Sequence, residues 1–405
     1  MKFESFVSSR ITRADSGSFS STVNKIAVGS IAMGLALMIL SFLILFGFQD
    51  TIRDKVISFN GELQVVKYSS NNSYKEEPIS LLNPLSERPE NFSEISGEFP
   101  FAHKPGLIKT EEDVSGIVLK AVDSTYKDSP FMTNMTEGRF VEFSGTKRST
   151  DMVISERLAN KLGLGVGDTM LVYFIQNPPR PRKMIITGLY NTGLAEFDER
   201  FALGDIRLIR RLNHWADTLA GGVEVHLNRF DETNKAQITL LDSLGYNLYV
   251  SSILDTHSDI FEWLDMLNVN VIVFLSLILA VACFNMMSII LILIMERTQM
   301  IGVLKALGAS NRLIRRIFRH NGMRLIGKGL LWGNVIGLGL CALQYFFRII
   351  PLDPESYYMS YVPISWSFVT IVALNIGTFL LVTSVLFIPT AIISKISPIK
   401  SIRFD

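Results

Sequence analysis

The sequence predicts a membrane protein with four transmembrane helices, one plus three, and a large α+β periplasmic domain inserted after the first helix. Three observations carry this. The 405 residues are 48% hydrophobic yet 19% charged, with mean hydropathy +0.30, a balance between those of soluble and wholly membrane-embedded chains. Four apolar runs are long enough to span a bilayer. A long stretch with mixed strand and helix signals separates the first run from the other three.

The expected spans are residues 26–48, 267–295, 329–347 and 366–388. About 20 consecutive apolar residues cross a hydrocarbon core. The third run is the weakest, because it carries Asn334, Gln344 and several glycines. The first starts well into the chain with no small-x-small cleavage site, so it is expected to remain as a span. Lys2, Arg10, Arg13 and Lys25 precede span one, and Lys395, Lys400 and Arg403 follow span four. Between spans two and three, eight lysines and arginines stand against the single acid Glu296. The positive-inside bias therefore assigns residues 1–25, 296–328 and 389–405 to the cytoplasm. Residues 49–266 and 348–365 fall on the periplasmic side. Net charge is +1, so the chain shows no global basic bias toward nucleic acid. Cys283 and Cys341 lie inside apolar runs, which argues against a disulfide framework.

Within residues 49–266, strands are expected at 62–67, 114–122, 169–175, 183–189 and 222–227. Helices are expected at 155–162, 231–244 and 257–265, with Gly163 as a left-handed cap. Helices and strands do not alternate regularly, which favours α+β over a doubly wound sheet. A polar loop covers residues 69–84. Between two strands lies Gln176-Asn177-Pro178-Pro179-Arg180, extended by Pro181 and Arg182. Proline stiffens it. It fits either a rigid hairpin loop or a preorganised contact for a soluble partner.

Catalytic patterns are missing. The five histidines form no HExxH, and no GxSxG occurs. Residues 322–328 match GxxxxGK, but Gly329 stands where a P-loop needs Ser or Thr, and no strand precedes it. Lys328 is instead expected to extend toward the membrane interface. No metal and no cofactor is assigned to this chain. If ATP drives it, ATP-Mg sits on a partner chain.

The segment 296–320, ERTQMIGVLKALGASNRLIRRIFRH, is the most informative. Ser310 is a candidate N-cap for a helix over 311–320. At helical spacing Leu313, Ile314, Ile317 and Phe318 share one face, opposite Arg312, Arg315, Arg316 and Arg319. Span two is expected to project, stop at Gly308, and be followed by a short helix returning along the membrane surface. Such a basic amphipathic helix could rest on anionic headgroups or act as a lever seated in a partner. Continuity with span two and the glycine hinge favour the lever.

Residues 295–309 (MERTQMIGVLKALGA), followed by Ile314-Arg-Arg-Ile-Phe318 and Gly322, resemble the signature of FtsX/MacB/LolC-type ABC permeases. The one-plus-three layout and the tail Ser397-Pro-Ile-Lys-Ser-Ile-Arg403 are similar too. Phe46-Gly-Phe-Gln-Asp50, Phe284-Asn-Met-Met-Ser288 and Ile186-Thr-Gly-Leu-Tyr190 resemble the lipoprotein-releasing branch. The resemblance implies a dimeric ABC ATPase partner, a second permease copy or paralogue, lipoprotein cargo, surrounding membrane lipids and a periplasmic lipoprotein carrier. It implies ATPase coupling through Glu296, Arg297, Leu304, Lys305, Leu307, Gly308, Arg312, Leu313, Arg315, Arg316 and Ile317. It places a lipid cavity between spans one and two, for which Met33, Leu37, Phe42, Phe274, Leu277 and Asn285 are the candidates. The loop 176–180 falls where the family's carrier-contacting hook would be, although it is shorter. A mechanotransmission subunit of the FtsX type and an efflux permease of the MacB type are the alternatives.

Overall fold

The computed structural model describes residues 19–68, 76–82, 93–110, 113–143, 148–176, 178, 180–244 and 247–391. The bases Lys2, Arg10 and Arg13, most of the loop 69–84, Asn177, Pro179 and the tail beyond residue 391 lie outside them. The described chain divides into two units.

The first unit is helical. Four described helices are long and apolar enough to cross a membrane. They are α1 (Phe19–Asn60), α5 (Ser258–Glu296), α7 (Asn311–Phe347) and α8 (Phe368–Val385), the last followed by α9 (Phe387–Ala391). α1, α5 and α7 outrun the expected spans. Hydropathy marks only the apolar part of a helix, whereas the backbone hydrogen-bond ladder continues through polar residues. The polar stretch expected as a separate helix at 257–265 is simply the first turns of α5.

Span three owes its weak hydropathy to packing. Gly329, Gly333 and Gly337 face α1 every fourth residue. A Cβ at Gly333 would stand 2.9 Å from Leu35 Cβ, and one at Gly337 would stand 3.0 Å from Ala36 Cα. Small residues at this spacing let two membrane helices approach closely. On another side of α7, Asn334 donates to Asn375 Oδ1 at 2.7 Å and Asn375 donates back at 3.0 Å, tying α7 to α8.

The second unit is the α+β domain. Its strands are β1 (Leu63–Lys67), β2 (Ile79–Ser80), β3 (Ile95–Lys109), β4 (Val114–Val122), β5 (Met135–Gly138) and β6 (Asp151–Ser155), then β7 (Thr169–Phe174), β8 (Arg180–Tyr190), β9 (Phe201–Asp205), β10 (Leu219–Ala220), β11 (Gly222–Leu227) and β12 (Leu248–Ser252). The longer helices that pack on them are α2 (Glu156–Leu162), α3 (Ile206–Asn213) and α4 (Thr233–Ser243). The main sheet runs β12-β1-β11-β3-β4-β9-β6-β8-β5, and β7 pairs with both β3 and β8. Strands β3, β4, β9, β6, β8 and β7 thus close a six-membered ring. The parallel pairs are β4–β9 and β6–β8.

Leu119, Met152, Ile154, Val172, Phe174 and Ile186 share a buried cluster with Leu158 of α2 and Ile209 of α3. A second cluster joins Leu63, Val65, Val225 and Val250 to Leu240 of α4. β3 belongs to both parts of the sheet: its first half pairs with β11 and its second with β4 and β7. Gly97, Pro100, Pro105 and Gly106 hide it from a propensity reading, since both residue types are depleted in strands. β6 escapes for the opposite reason: every residue in it is buried, so it shows no alternation.

The last turn of α1 lies in this domain's core. The Phe59 ring stacks on Phe197, with centroids 4.6 Å apart, and meets Phe201 edge-on at 5.1 Å. Lys120 Nζ donates to the Phe59 carbonyl and, at 2.9 Å, to Tyr126 Oη. It also pairs with Glu224 Oε1 at 2.6 Å, with both side chains fully buried. Burial lowers the Lys120 pKa and raises that of Glu224, and mutual attraction opposes both shifts. Nearby, burial raises Glu62 to about 7 and lowers His226 to about 4.

Candidate coupling and cargo surfaces

The segment after α5 forms an elbow. α5 ends at Glu296, Arg297 leaves helical geometry at φ −101° and ψ 21°, and α6 (Thr298–Ala306) follows. Glu296 and Arg297 approach to 3.9 Å. The chain then reverses at Gly308, whose φ of +90° is a conformation that a Cβ disfavours. Gly308 N donates to Lys305 O at 3.0 Å and Ala309 N to Leu304 O at 2.9 Å, closing the end of α6. Ser310 caps α7, accepting from Leu313 N at 3.3 Å.

Beyond Ser310 the structure corrects the expected short helix. No separate helix ends at 320; α7 runs unbroken through the apolar run to Phe347. Gly322, Gly327 and Gly329 are all helical. Gly322 and Gly329 are packing positions, because a Cβ at either would come within 2.7 Å of Leu386 or Ile31. The expected division at residue 328 therefore falls in mid-helix.

Burial sorts the expected coupling residues. Ile301, Ile314 and Phe318 join a cluster with Ile290 and Leu293 of α5. Ile317 is only 1% exposed, so it packs inside and offers nothing to a partner. Leu307 is 80% exposed at the tip. Glu296, Gly308, Arg312 and Arg316 are exposed, and Arg297, Leu304, Lys305, Leu313 and Arg315 are half-buried. Burial and the like charge of Arg315 lower the Lys305 pKa. The elbow is thus an apolar tip beside a cluster of cations.

A groove of about 410 Å³ lies between α1 and α5, lined among others by Ser30, Met33, Leu37, Leu277, Val281 and Asn285. Four of the six expected cavity residues meet there: Met33, Leu37, Leu277 and Asn285. Met33 and Leu277 are 60% and 64% exposed. Asn285 Nδ2 donates to Ser30 Oγ at 3.4 Å, so the polar pair bridges the two helices at the groove wall. Phe42 and Phe274 are not part of this lining. Phe42 packs against the buried cluster that includes Leu35 and Leu43, and its ring lies 5.8 Å from that of Phe46. Phe274 is 69% exposed elsewhere on α5. Sequence reasoning misses Ser30 and Val281, because a small polar residue and one valine in an apolar run carry no signal.

The carrier-loop candidate is a hairpin turn. β7 and β8 pair from Thr169↔Ile185 to Phe174↔Arg180. Arg180 and Arg182, expected in the loop, therefore belong to β8. Residues 175–179 connect the two strands. Gln176 is half-buried and Pro178 exposed. Asn177, Pro179 and the Arg180 side chain lie outside the described residues.

A one-plus-three set of helices long and apolar enough to cross a membrane, a strand-rich insertion and a basic elbow fit the layout of a permease subunit. Residues 26–237 match the MacB-like periplasmic core domain and residues 272–398 match the FtsX-like permease C-terminal region. The chain belongs to this family of ABC-transporter permeases. Among similar proteins is the lipoprotein-releasing system transmembrane protein LolC of Xylella fastidiosa, 21% identical, with 96% of this chain and 95% of that one aligned. The corresponding LolE of Haemophilus influenzae is 21% identical, with 93% of each chain aligned. The periplasmic region of MacB from Actinobacillus actinomycetemcomitans matches 51% of this chain and 95% of its own, at 12% identity and a TM-score of 0.35.

Proposed function

We propose that this permease extracts lipoproteins from the inner membrane and passes them to a periplasmic carrier, using ATP hydrolysed by a separate ATPase. The observation that carries this reading is the apolar groove between α1 and α5, on a chain aligned nearly end to end with lipoprotein-releasing subunits. Each methylene removed from a bilayer costs on the order of 0.8 kcal/mol. Extraction of a multiply acylated anchor therefore needs an apolar receiving surface and an external energy source. Met33, Leu37, Leu277 and Val281 provide such a surface.

The energy enters at the elbow. Leu307 seats in a groove of the ATPase dimer, and Arg312 and Arg316 meet its carboxylates. ATP-Mg remains on that partner. Two permease chains, identical or paralogous, pair over one ATPase dimer, and the hairpin turn at 175–179 is the candidate carrier contact. Both termini and the elbow face the cytoplasm.

Depletion of the protein followed by membrane fractionation tests the reading. Outer-membrane lipoproteins are expected to accumulate in the inner membrane. Normal lipoprotein sorting with a cell-wall or division defect would instead support mechanotransmission, and normal sorting with loss of drug or toxin export would support efflux.

A further inference from the structure

A second groove, of about 540 Å³, lies beside the first, between α1 and α7. It has a polar end and an apolar body. Asn24, Lys25 and Lys328 line one end; Met33, Trp332 and Ile336 line the rest. The glycine contacts set the register of the two helices. Gly329 faces Ile31, Gly333 faces Leu35 and Gly337 faces Ala36, so α1 and α7 run parallel. Both lysines thus stand at the same end, and the apolar residues follow in the same direction on both helices. From Lys328 to Ile336 is eight residues, about 12 Å along a helix.

Lys25 and Lys328 are both exposed, and among the described residues neither has an ion-pair partner. Among the described residues no acid lines the groove. Asn24 Oδ1 is buried and, among the described residues, accepts no hydrogen bond. Such an orphan acceptor is costly unless a donor arrives. Two ammonium groups, one acceptor lacking a donor, and an apolar trough below them match an amphiphile with a phosphate, a hydroxylated headgroup and an acyl chain. Basic pockets between membrane helices bind anionic headgroups on this principle.

We propose that the α1/α7 groove is a binding site for an anionic glycerophospholipid, with its phosphate between Lys25 and Lys328, a headgroup hydroxyl donating to Asn24 Oδ1, and an acyl chain along Trp332, Ile336 and Met33. This site adjoins the cargo groove, whose lining includes no cation among the described residues, and it does not depend on the cargo being a lipoprotein. The two grooves meet at Gly29 and Met33, which line both.

The test uses the full-length chain in phosphatidylcholine vesicles, with Trp332 as reporter and Trp332→Phe as blank. Bromine-labelled phosphatidylglycerol is expected to quench the Trp332 emission at about 30-fold lower mole fraction than bromine-labelled phosphatidylcholine, given two lysines near the lipid surface. Lys25→Gln or Lys328→Gln alone is expected to weaken that preference about 5-fold, and the double variant to abolish it. Equal quenching by the two lipids in the unmodified chain overturns the proposal, and needs no lysine variant to fold. Loss of the preference on adding millimolar inorganic phosphate also overturns it, since the site would then take a free anion. An equal loss in Arg312→Gln would show a diffuse basic surface in place of this site.

Discussion

Lys120 shows how a single residue secures this fold. Its ammonium is fully buried, held by the Phe59 carbonyl, Tyr126 Oη and Glu224, and it lies 4.3 Å from the Phe59 ring centroid. A buried pair contributes little net stability when intact but is costly to break from one side. Lys120→Met is expected to destabilise the protein by about 3–5 kcal/mol, because buried Glu224 loses its cation and must either stay charged in the core or take up a proton. The double variant Lys120→Met/Glu224→Leu should recover a large part of that loss, although Tyr126 and the Phe59 carbonyl remain short of a partner. Thermal unfolding of the purified chain checks both; a double variant no more stable than the single one would mean that the ion pair is not the source. None of this is legible in the sequence. Lys120 sits in a strand whose bounds are evident from its composition, yet a lysine at that position reads as solvent-facing. Only the convergence of β4, β11 and the end of α1 makes it the centre of a core.

At the scale of elements, the elbow is legible in its parts. Gly308 as the turn and Ser310 as the cap follow from local chemistry that acts within a few residues. The assignment of faces is half legible: Arg312 and Arg316 are exposed and Ile314 and Phe318 buried, but Ile317, expected at the docking surface, is inside. Periodicity shows which residues share a face and cannot say what that face meets. The two positions now separate experimentally. Leu307→Asp is expected to change stability by no more than about 0.5 kcal/mol, as an exposed substitution, while abolishing the permease's stimulation of the ATPase. Ile317→Asp places an unpaired charge in a packed interior and should lower the yield of folded protein. Unchanged ATPase stimulation in Leu307→Asp would remove the lever from the account. The length of α7 is illegible because its glycines weaken the apolar run until the facing helices are seen.

At the scale of the whole molecule, the chain divides into a helical unit and a strand-rich unit, each with its own buried clusters. A substitution that disturbs one should leave the other's transition in place. Gly333→Val adds bulk where a Cβ already meets Leu35 at 2.9 Å and the Ala32 carbonyl at 3.0 Å. Overpacking of this kind costs about 1–3 kcal/mol. Calorimetry of the detergent-solubilised chain is expected to show one transition lowered and a second unmoved; a common shift of both would mean that the units unfold together.

The sequence by itself determined the membrane class, the one-plus-three layout, the α+β insertion, the elbow and the family. These rest on hydropathy, charge bias, local turn chemistry and motif wording, all of which act over short stretches of chain. The tertiary structure decided the rest: the closed ring of strands, the buried Lys120–Glu224 pair, the identity of the groove walls and the burial of Ile317. Each depends on residues far apart in the chain being brought to one place. The contrast is sharpest in span three. Its glycines weaken it as an isolated apolar run, and the same glycines are what let it pack against α1.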